Sequence, residues 1–438
     1  MPDPQDPGET LDFKKILPVV VILFVDLLGL SIMIPLLPFY AARFGADAFV
    51  VGLLSAAYPA MQFVFAPFLG RLSDRVGRRP VLIISQIGTL IGFIIMTFAN
   101  SLWVLFLSRI IDGISGANIS TAQAVITDST TEKTRARGLG LVGAAFGMGF
   151  ITGPIIAFGV LAFTGGNYQA VAITAAVFSF LSIMLTWFWL PETLNAEKAA
   201  EYRASRKFTM GSMFGVLNRP VLGFLLIVMF GQQLAFGGYE QLFSLFVLNR
   251  LGLDATNTAF VLVLAGLSIV VMQGVFVGRW SKQKGDRWLV LMGLLMLGLS
   301  LALTAVTPQI AVPWYQKEQV VESIRGYNSL SHQDMNVELP NDEPKGWVGI
   351  VWLLFASIPA TLGGAVLHPG INTLITKSAE KSEVGQALGM SASMYSAGNA
   401  LAPLVYGTLF RWLGPPVPFL AGGILLLVLW LVSLRTIK

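Results

Sequence analysis

The sequence has no cysteine, very little histidine and few charged residues. Of its 438 residues none is Cys, 2 are His, and 12% are Asp, Glu, Lys or Arg. Without thiols there can be no disulfide bond, thiol nucleophile or thiolate metal site, so we expect no metal and no other cofactor. The charged fraction is about half that of soluble globular domains. This excludes most soluble enzymes and nucleic-acid-binding proteins, although the isoelectric point is near 9.4.

Hydrophobic residues, in contrast, make up 55% of the chain, and the mean hydropathy is +0.71. A helix needs about 20 predominantly apolar residues to cross a bilayer, and such stretches recur along the whole sequence. We therefore predict an all-α membrane protein with little room for a soluble domain. The twelve predicted spans are Ile16–Phe39, Ala48–Leu69, Pro80–Ala99, Leu102–Ile126, Gly138–Phe163, Tyr168–Leu190, Pro220–Leu248, Asn257–Val277, Trp288–Val306, Trp347–Thr376, Gly385–Phe410 and Pro416–Leu434.

The spans fall into two groups of six that share a repeated segment. Residues 70–79 follow the second span, and a weaker copy of them, residues 278–287, follows the eighth. Parallel repeats of this kind are related by a pseudo-two-fold axis along the membrane normal, with a central cavity between the halves. The predicted domains are an N-terminal six-helix bundle at 1–190, a polar linker at 191–219 and a C-terminal six-helix bundle at 220–438 that carries an extracytoplasmic insertion at 308–346.

Lysine and arginine are distributed unevenly between the two sides of the predicted membrane. With the N-terminus in the cytoplasm, 22 of the 29 fall on the cytoplasmic side, six on the other side and one, Arg109, inside a span. The positive-inside rule therefore places both termini in the cytoplasm. We expect no signal peptide, because residues 1–12 are acidic and rich in proline and the first apolar run is long enough to span.

Several motifs resemble those of one transporter family. The run Gly70–Pro80, GRLSDRVGRRP, is similar to the signature loop of the major facilitator superfamily and lies where that family has it. The run Gly143–Pro154 resembles the fifth-span motif of its proton-coupled drug antiporters. Asp26, the segment Arg109–Gly113 and the segment Leu190–Leu194 are similar to its tetracycline-efflux-like branch.

This resemblance covers nearly the whole chain outside the insertion. It implies the major facilitator fold, with twelve transmembrane helices in two pseudo-two-fold related six-helix bundles, in the bacterial cytoplasmic membrane. The pattern departs from that of the tetracycline pumps, because the third span has Gln86 where they carry an aspartate and the eighth span lacks their histidine. These departures argue against tetracycline itself as the substrate, and Glu240 and His368 indicate a rearranged polar lining.

Four ionisable side chains inside the spans are candidates for proton coupling. Asp26 lies about 15 Å deep in the first span at 1.5 Å per residue, where an acid by default marks an ion or substrate path; the alternative is a permanently protonated carboxyl bonded to a backbone carbonyl. Glu240 is either a second proton carrier or a solvated group near the outer end of the seventh span. Arg109 remains protonated, and the resemblance implies that it takes part in proton coupling. Asp112 shares its face and balances its charge.

Polar residues in the spans are candidates to line the central cavity. His368 titrates near neutrality and precedes a proline that frees a backbone carbonyl; a hydrogen-bonded structural histidine is the alternative. Gly237 and Gly238 permit a bend in the seventh span or a close approach of substrate. The predicted lining residues are Tyr58, Gln62, Asn118, Gln123, Gln233, Gln273, His368, Asn372, Tyr395 and Asn399.

The signature loop indicates a conformational latch on the cytoplasmic face. Asp74 is expected at the N-terminus of the eleventh span, near residues 383–385, where the helix dipole favours an anion. Arg78 is expected to pair with Asp128, and the latch would stabilise the outward-open state. The residues assigned to it are Gly70, Asp74, Arg75, Gly77, Arg78, Arg79 and Asp128.

Two further segments have predicted roles in packing. Small residues on the fifth span allow another helix, expected to be the eighth, to approach closely; they are Gly143, Gly147, Gly149, Gly153 and Pro154. In the insertion, Tyr315, Val320, Val321 and Ile324 fit a short amphipathic helix on the outer surface. That helix is either a lid or part of a tethered loop.

We predict a monomeric, proton-coupled secondary transporter that exports a small amphipathic compound or drug by alternating-access antiport. Its partners are the substrate, protons and membrane lipid, with no nucleic acid. An exporter or flippase of a lipid, glycolipid or sugar conjugate is the nearest alternative, because one fold serves many substrates. A more remote alternative is a non-transporting receptor that uses the insertion as its binding surface. No nucleophile, base and orienting group converge in the pattern, so we do not expect an enzyme.

Overall fold

The computed structural model describes residues 12–116, 118–194, 219–272, 278–325, 337–379 and 384–437. These residues form sixteen helices and one isolated parallel bridge between Ala311 and Lys345. The helices are α1 (Phe13–Met33), α2 (Leu37–Arg43), α3 (Ala48–Val76), α4 (Arg78–Thr97), α5 (Leu102–Ser115), α6 (Asn118–Asp128), α7 (Glu132–Thr164), α8 (Tyr168–Trp189), α9 (Pro220–Leu251), α10 (Ala255–Val271), α11 (Gly278–Lys284), α12 (Asp286–Ala305), α13 (Lys317–Arg325), α14 (Val348–Ser378), α15 (Val384–Leu413) and α16 (Pro416–Thr436).

Each of the twelve predicted spans coincides with helix over its described residues. Within the described residues, ten helical segments are long and apolar enough to cross a membrane. The other two predicted spans coincide with α10, whose apolar run Ala255–Ser268 is shorter, and with the 30-residue helix α15. Short polar residues begin several helices; the Asp47 carboxylate, for example, accepts a hydrogen bond from the Val50 N–H at 2.9 Å.

The first and fourth spans, predicted as continuous, are each built from two helices. The first ends at Met33 and resumes as α2 at Leu37, on either side of Pro35, which has no backbone N–H to continue the helix. The fourth ends at Ser115, and α6 begins at Asn118. A helix break at membrane depth frees backbone carbonyls, so a neighbouring helix must supply hydrogen-bond donors.

The two halves meet along two pairs of helices. In the first half α1 packs on α7 and α8, and α4 packs on α5 and α8; in the second half α9 packs on α15, and α12 packs on α14 and α16. Contact between the halves is made chiefly by α3 with α15 and by α7 with α10, and to a smaller extent by α9 with α2 and α3. The two chief contacts join the second and eleventh spans and the fifth and eighth spans, as a pseudo-two-fold axis requires.

In the part of the chain that the structure describes, the contact between α3 and α15 is concentrated at one end of the bundle. We call the end that carries residues 70–79 and 278–287 the basic end, and the end that carries residues 44–47, 252–254, 308–325 and 337–346 the opposite end. Buried residues of α3 run from Ala48 to Pro59, near the opposite end, and apart from Ser73 the rest of the helix is partly or fully exposed. Gly70, near the basic end, faces open space.

Two features close the opposite end along the contact between α3 and α15, which we call the seam. A Cβ atom at Gly52 would lie 2.3 Å from the Pro403 carbonyl oxygen and 3.0 Å from the Gly407 Cα, so the backbones touch there. Beside them the Asp47 carboxylate lies 3.1 Å from the Arg411 guanidinium. The described residues are therefore closed at the opposite end and open toward the basic end.

Candidate functional site

Asp26 lies midway along α1 and forms part of two small cavities in the first half. The cavity on the side of the basic end is lined by Val19, Ile22, Leu23, Asp26, Leu82, Gln86 and Ala122. The other is lined by Asp26, Leu27, Leu30, Tyr58, Thr89, Asp112 and Gly116. Three predicted site residues from three different spans, Asp26, Tyr58 and Asp112, thus meet around one cavity.

Arg109 and Asp112 form a buried ion pair next to this cavity. Their closest nitrogen and oxygen atoms are 2.5 Å apart, and the residues are 3% and 1% exposed. The guanidinium also lies 5.6 Å from the centre of the Tyr58 ring and 5.7 Å from that of Phe93. The pairing predicted from the three-residue spacing is confirmed. Because both charges are buried together, the pair adds no net charge to the site.

Asp112 packs against the third span, α4. A Cβ atom at Gly92 would lie 3.0 Å from the Asp112 Cβ, and Thr89, one turn earlier on α4, lines the same cavity as Asp112. The third span has no acidic residue of its own. It is nevertheless in contact with a carboxylate, which the fourth span supplies. In the sequence, this contact is indicated only by Thr89 and Gly92, which lie three residues apart on one face of α4.

Gln86 has a structural role at the edge of the site. Its side-chain amide donates to the Ser182 hydroxyl at 2.7 Å, and that hydroxyl donates to the Ile22 carbonyl at 3.3 Å. The two bonds connect α4, α8 and α1 beside Asp26. This network holds in place the wall of the cavity on the basic side.

Gln62 stabilises the break in the fourth span. Its side-chain amide donates to the Gly116 carbonyl at 2.5 Å and to the Tyr58 hydroxyl at 3.2 Å. The Gly116 carbonyl lies between α5 and α6, so Gln62 supplies the donor that the break requires. Gln62, predicted to line the cavity, therefore also connects α3 to the residues around Arg109.

The second half contributes two polar clusters. In the first, the Gln233 amide donates to the Asn399 carbonyl oxygen at 3.1 Å. In the second, Asn372 lies 3.2 Å from the His368 Nε2 and accepts a bond from the Ser391 hydroxyl at 2.8 Å, while the rings of His368 and Tyr395 are 5.0 Å apart. His368 is exposed and Asn372 is half-buried.

Glu240 lies on a helix without a break. Helix α9 runs from Pro220 to Leu251, so the double glycine does not interrupt it. A Cβ atom at Gly238 would lie 2.2 Å from the Tyr406 ring, and one at Gly237 would lie 3.1 Å from Asn399 Oδ1. The two glycines therefore serve close packing of α9 on α15, and Glu240 is half-buried one turn beyond them.

Other predicted lining residues are less informative. Gln123 is exposed on α6, where its backbone carbonyl accepts a hydrogen bond from the Thr127 hydroxyl at 2.8 Å. Gln273 and the side chain of Asn118 lie outside the part of the chain that the structure describes.

The signature loop is organised around Arg78. Its guanidinium lies 3.0 Å from Asp128 and 2.6 Å from Asp74, and it donates to the Ser73 hydroxyl at 2.7 Å. The predicted pair with Asp128 is therefore confirmed. The predicted contact of Asp74 with residues 383–385 stays a prediction, because residue 383 and the side chains of residues 384 and 385 lie outside the described part of the chain. Arg75 is exposed.

Glu192, just after the sixth span, caps the helix that follows this loop. Its carboxylate accepts hydrogen bonds from the backbone N–H groups of Arg78 at 2.9 Å and Arg79 at 3.1 Å, and Arg79 also donates to the Trp187 carbonyl. Gly77 has a φ of +122°, and a Cβ atom there would lie 2.5 Å from Glu192 Oε2. Reasoning from the sequence assigned Glu192 no role, because its partners lie more than a hundred residues earlier.

The small residues of the fifth span pack against the first span. The Ser31 hydroxyl donates to the Gly149 carbonyl at 2.7 Å, and a Cβ atom at Gly153 would collide with that hydroxyl. The expected partner, the eighth span, is wrong for these two glycines, because the small residues identify a close-packing face but not which helix covers it. The eighth span contacts α7 elsewhere, where Gly266 packs on Ile151. Gly147 and Pro154 lie on the same helix, and the surroundings of Gly143 lie outside the described residues.

A family model described as Major Facilitator Superfamily matches residues 19–316 and 346–437. The chain is 27% identical to the class B tetracycline resistance protein of Escherichia coli, over 89% of this chain and 87% of that protein. It is 36% identical to the class E tetracycline resistance protein of Escherichia coli, over 69% and 74%, and 26% identical to multidrug resistance protein 2 of Bacillus subtilis, over 93% and 91%. The unmatched residues 317–345 fall inside the insertion.

Solved structures share the fold at low sequence identity. A nucleoside transporter, NupG, has a TM-score of 0.72 at 13% identity, covering 97% of this chain and 100% of that one. The human organic anion transporter MFSD10 (TETRAN) has a TM-score of 0.66 at 21% identity, covering 98% and 100%. The helical architecture and the family model agree over nearly the whole sequence. The chain therefore belongs to the major facilitator superfamily and is an integral membrane transporter.

Proposed function

We propose that this transporter exports small amphipathic compounds, including drugs, in exchange for protons, with its basic end in the cytoplasm of a bacterium. The observation that carries the proposal is the meeting of Asp26, Tyr58 and Asp112 around one cavity beside the buried Arg109. Relatives named as tetracycline and multidrug resistance proteins support export of a drug. The excess of Lys and Arg at the basic end supports the orientation.

Asp26 determines the net charge of this cavity. The pair of Arg109 and Asp112 is neutral as a unit, so the cavity becomes negative when Asp26 loses its proton and neutral when Asp26 gains one. Charges interact strongly where water is scarce. A cationic group on a substrate therefore binds to the deprotonated site and is displaced by protonation, which is the mutual exclusion that antiport requires.

Arg109 couples this event to the protein. A deprotonated Asp26 competes with Asp112 for the same guanidinium, because both carboxylates line one cavity. Protonation of Asp26 removes that competition and returns Arg109 to Asp112. Since Asp112 is packed on α4, and Tyr58 of α3 faces the guanidinium, each protonation step changes the forces among the third, second and fourth spans.

Transport into proteoliposomes under an imposed pH gradient tests this function. The probes are ethidium and tetracycline, and the variants are Asp26→Asn and the matched control Asp342→Asn, which lies in the insertion. We expect gradient-driven uptake of a probe by the wild type and the control, and its loss in Asp26→Asn.

Three outcomes would change the proposal. Gradient-driven uptake that survived Asp26→Asn would move the proton carrier to Glu240 or Asp112. Uptake that ignored the gradient would exclude antiport. If neither probe were transported while fluorescent phospholipid crossed the membrane, lipid export would replace drug export.

A further inference from the structure

The insertion after the ninth span folds back onto the bundle. Its described parts, residues 308–325 and 337–346, are here called the cap. Tyr315, Val320 and Ile324 of the cap are only 1%, 7% and 0% exposed. The predicted amphipathic helix is present as α13, with its apolar face covered. The cap is therefore packed against the protein, and it is not a loose tether.

The cap is fixed to the end of the seventh span in the second half. The Val312 N–H donates to the Leu251 carbonyl at 3.0 Å, and the Asn249 amide donates to the Glu338 carbonyl at 2.9 Å. The Tyr315 ring lies over Gly252, and a Cβ atom at Gly252 would be only 2.2 Å from the ring. Gly252 also has a φ of +70°, a backbone conformation that residues with a side chain rarely adopt. The Tyr315 hydroxyl donates to the Pro340 carbonyl at 3.1 Å.

The same cap also reaches the first half. Helix α13 packs against α2, the short helix that completes the first span. Val320 and Ile324, four residues apart on one face of α13, belong to the same buried apolar cluster as Phe39 and Tyr40 of α2. Contact with α9 on one side and α2 on the other means that the cap bridges the two halves at the closed opposite end.

We propose that the cap is a strap that holds the opposite end closed, and that α13 must leave α2 before the transporter can open there. The proposal rests on the alternating access of the proposed function, but it does not depend on the substrate or on proton coupling. Opening that end separates α2 from α9, and the cap is attached to both. Residues 317–345 lie outside the match to the family model, so the strap is an addition to the shared fold.

The absence of native cysteine provides the test, because an introduced cysteine is the only thiol in the protein. Ser55 is 3% exposed on α3 and lies three residues from Gly52 on the face toward α15, so a cysteine there is reached only when the seam opens. A membrane-impermeant maleimide applied from the cap side reports the opening rate of Ser55→Cys. The strap is weakened by Val320→Ser with Ile324→Ser, and the control is the neighbouring half-buried Val321→Ser.

We expect the double substitution to speed labelling about tenfold, because two buried apolar contacts that oppose opening are lost, and we expect the control to leave the rate unchanged. An unchanged rate in the double variant would overturn the strap. A second reporter, Ser300→Cys, is buried between α12 and α14 in the half of the bundle nearer the cap, away from the seam, and identifies unfolding. Equal acceleration at both reporters would also overturn the proposal.

The assay contains neither substrate nor proton gradient. If labelling behaves as expected while no drug is transported, the proposed function fails and the strap stands. If the labelling rate ignores the strap while transport is normal, the strap fails and the proposed function stands.

Discussion

The Arg109 guanidinium lies 2.5 Å from the Asp112 carboxylate, and both side chains are almost completely shielded from solvent. Removing one partner leaves the other charge buried alone, which typically costs about 3–5 kcal/mol, whereas removing both avoids that penalty. Losing one member of the pair is therefore expected to destabilise the protein more than losing both members.

We expect Asp112→Asn and Arg109→Gln each to lower the midpoint of thermal unfolding markedly, and the double variant to recover much of the loss. Unfolding in detergent, followed by intrinsic tryptophan fluorescence, measures the double-mutant cycle. If the two single effects simply added, the charges would not depend on each other. Transport should remain impaired in the double variant, because the arginine that responds to Asp26 is absent.

The contact at Gly52 predicts a variant that folds but cannot close the seam. Gly52→Ala places a methyl group about where the Pro403 carbonyl oxygen now lies, and backbone atoms on both sides leave it little room. We expect transport to fall by at least tenfold with normal membrane expression. The matched control is Gly159→Ala on α7, where a Cβ atom meets nothing within 4 Å. Equal transport by the two variants would show that closure at this point is dispensable.

Glu192 predicts a link between the segment after the sixth span and the signature loop. Glu192→Ala removes the acceptor for two backbone N–H groups at the start of α4, and losing a helix cap costs about 0.5–2 kcal/mol. We expect the midpoint of thermal unfolding to fall. The matched control is Glu322→Ala, which changes an exposed glutamate on α13 and should leave the midpoint nearly unchanged. Hydrogen exchange localised to residues 78–82 would identify the cause; exchange spread over the whole chain would contradict a capping role.

Replacing Gln62 is expected to destabilise the break in the fourth span. In Gln62→Leu the new side chain is similar in size to glutamine, but it cannot donate to the Gly116 carbonyl. Leaving a buried polar group without its partner lowers the free energy of unfolding by about 1–3 kcal/mol. We expect lower stability and slower transport, while Gln169→Leu at the exposed start of α8 should alter neither. A Gln62→Leu protein as stable as the wild type would mean that water replaces the amide.

The sequence predicted those features that depend on spacing along one helix or on charge at one end of the bundle. Length and apolar content located the twelve spans, and the three-residue spacing paired Arg109 with Asp112. The pairing of Arg78 with Asp128 followed from expected positions at the basic end. In each case the partners were fixed by geometry that a single helix or a membrane face imposes.

Contacts between distant segments were the ones that the sequence did not reveal. Gly149 and Gly153 showed that some helix approaches closely, but Ser31, which they contact, gives no pattern of its own. The break after Ser115 has no proline to mark it, so Gln62 was read only as a lining residue. Glu192 and the cap depend on tertiary contacts that local propensity does not encode.

Asp26 lines both small cavities of the first half, the one on the side of the basic end and the one beside Tyr58 and Asp112. Its side chain therefore lies between the two cavities. In the exchange that we propose, a proton and the cationic group of a substrate compete for this carboxylate, and two cavities allow them to approach it from different sides. A single side chain would then keep the two species apart at this point, while exchange across the membrane still requires the two halves to move.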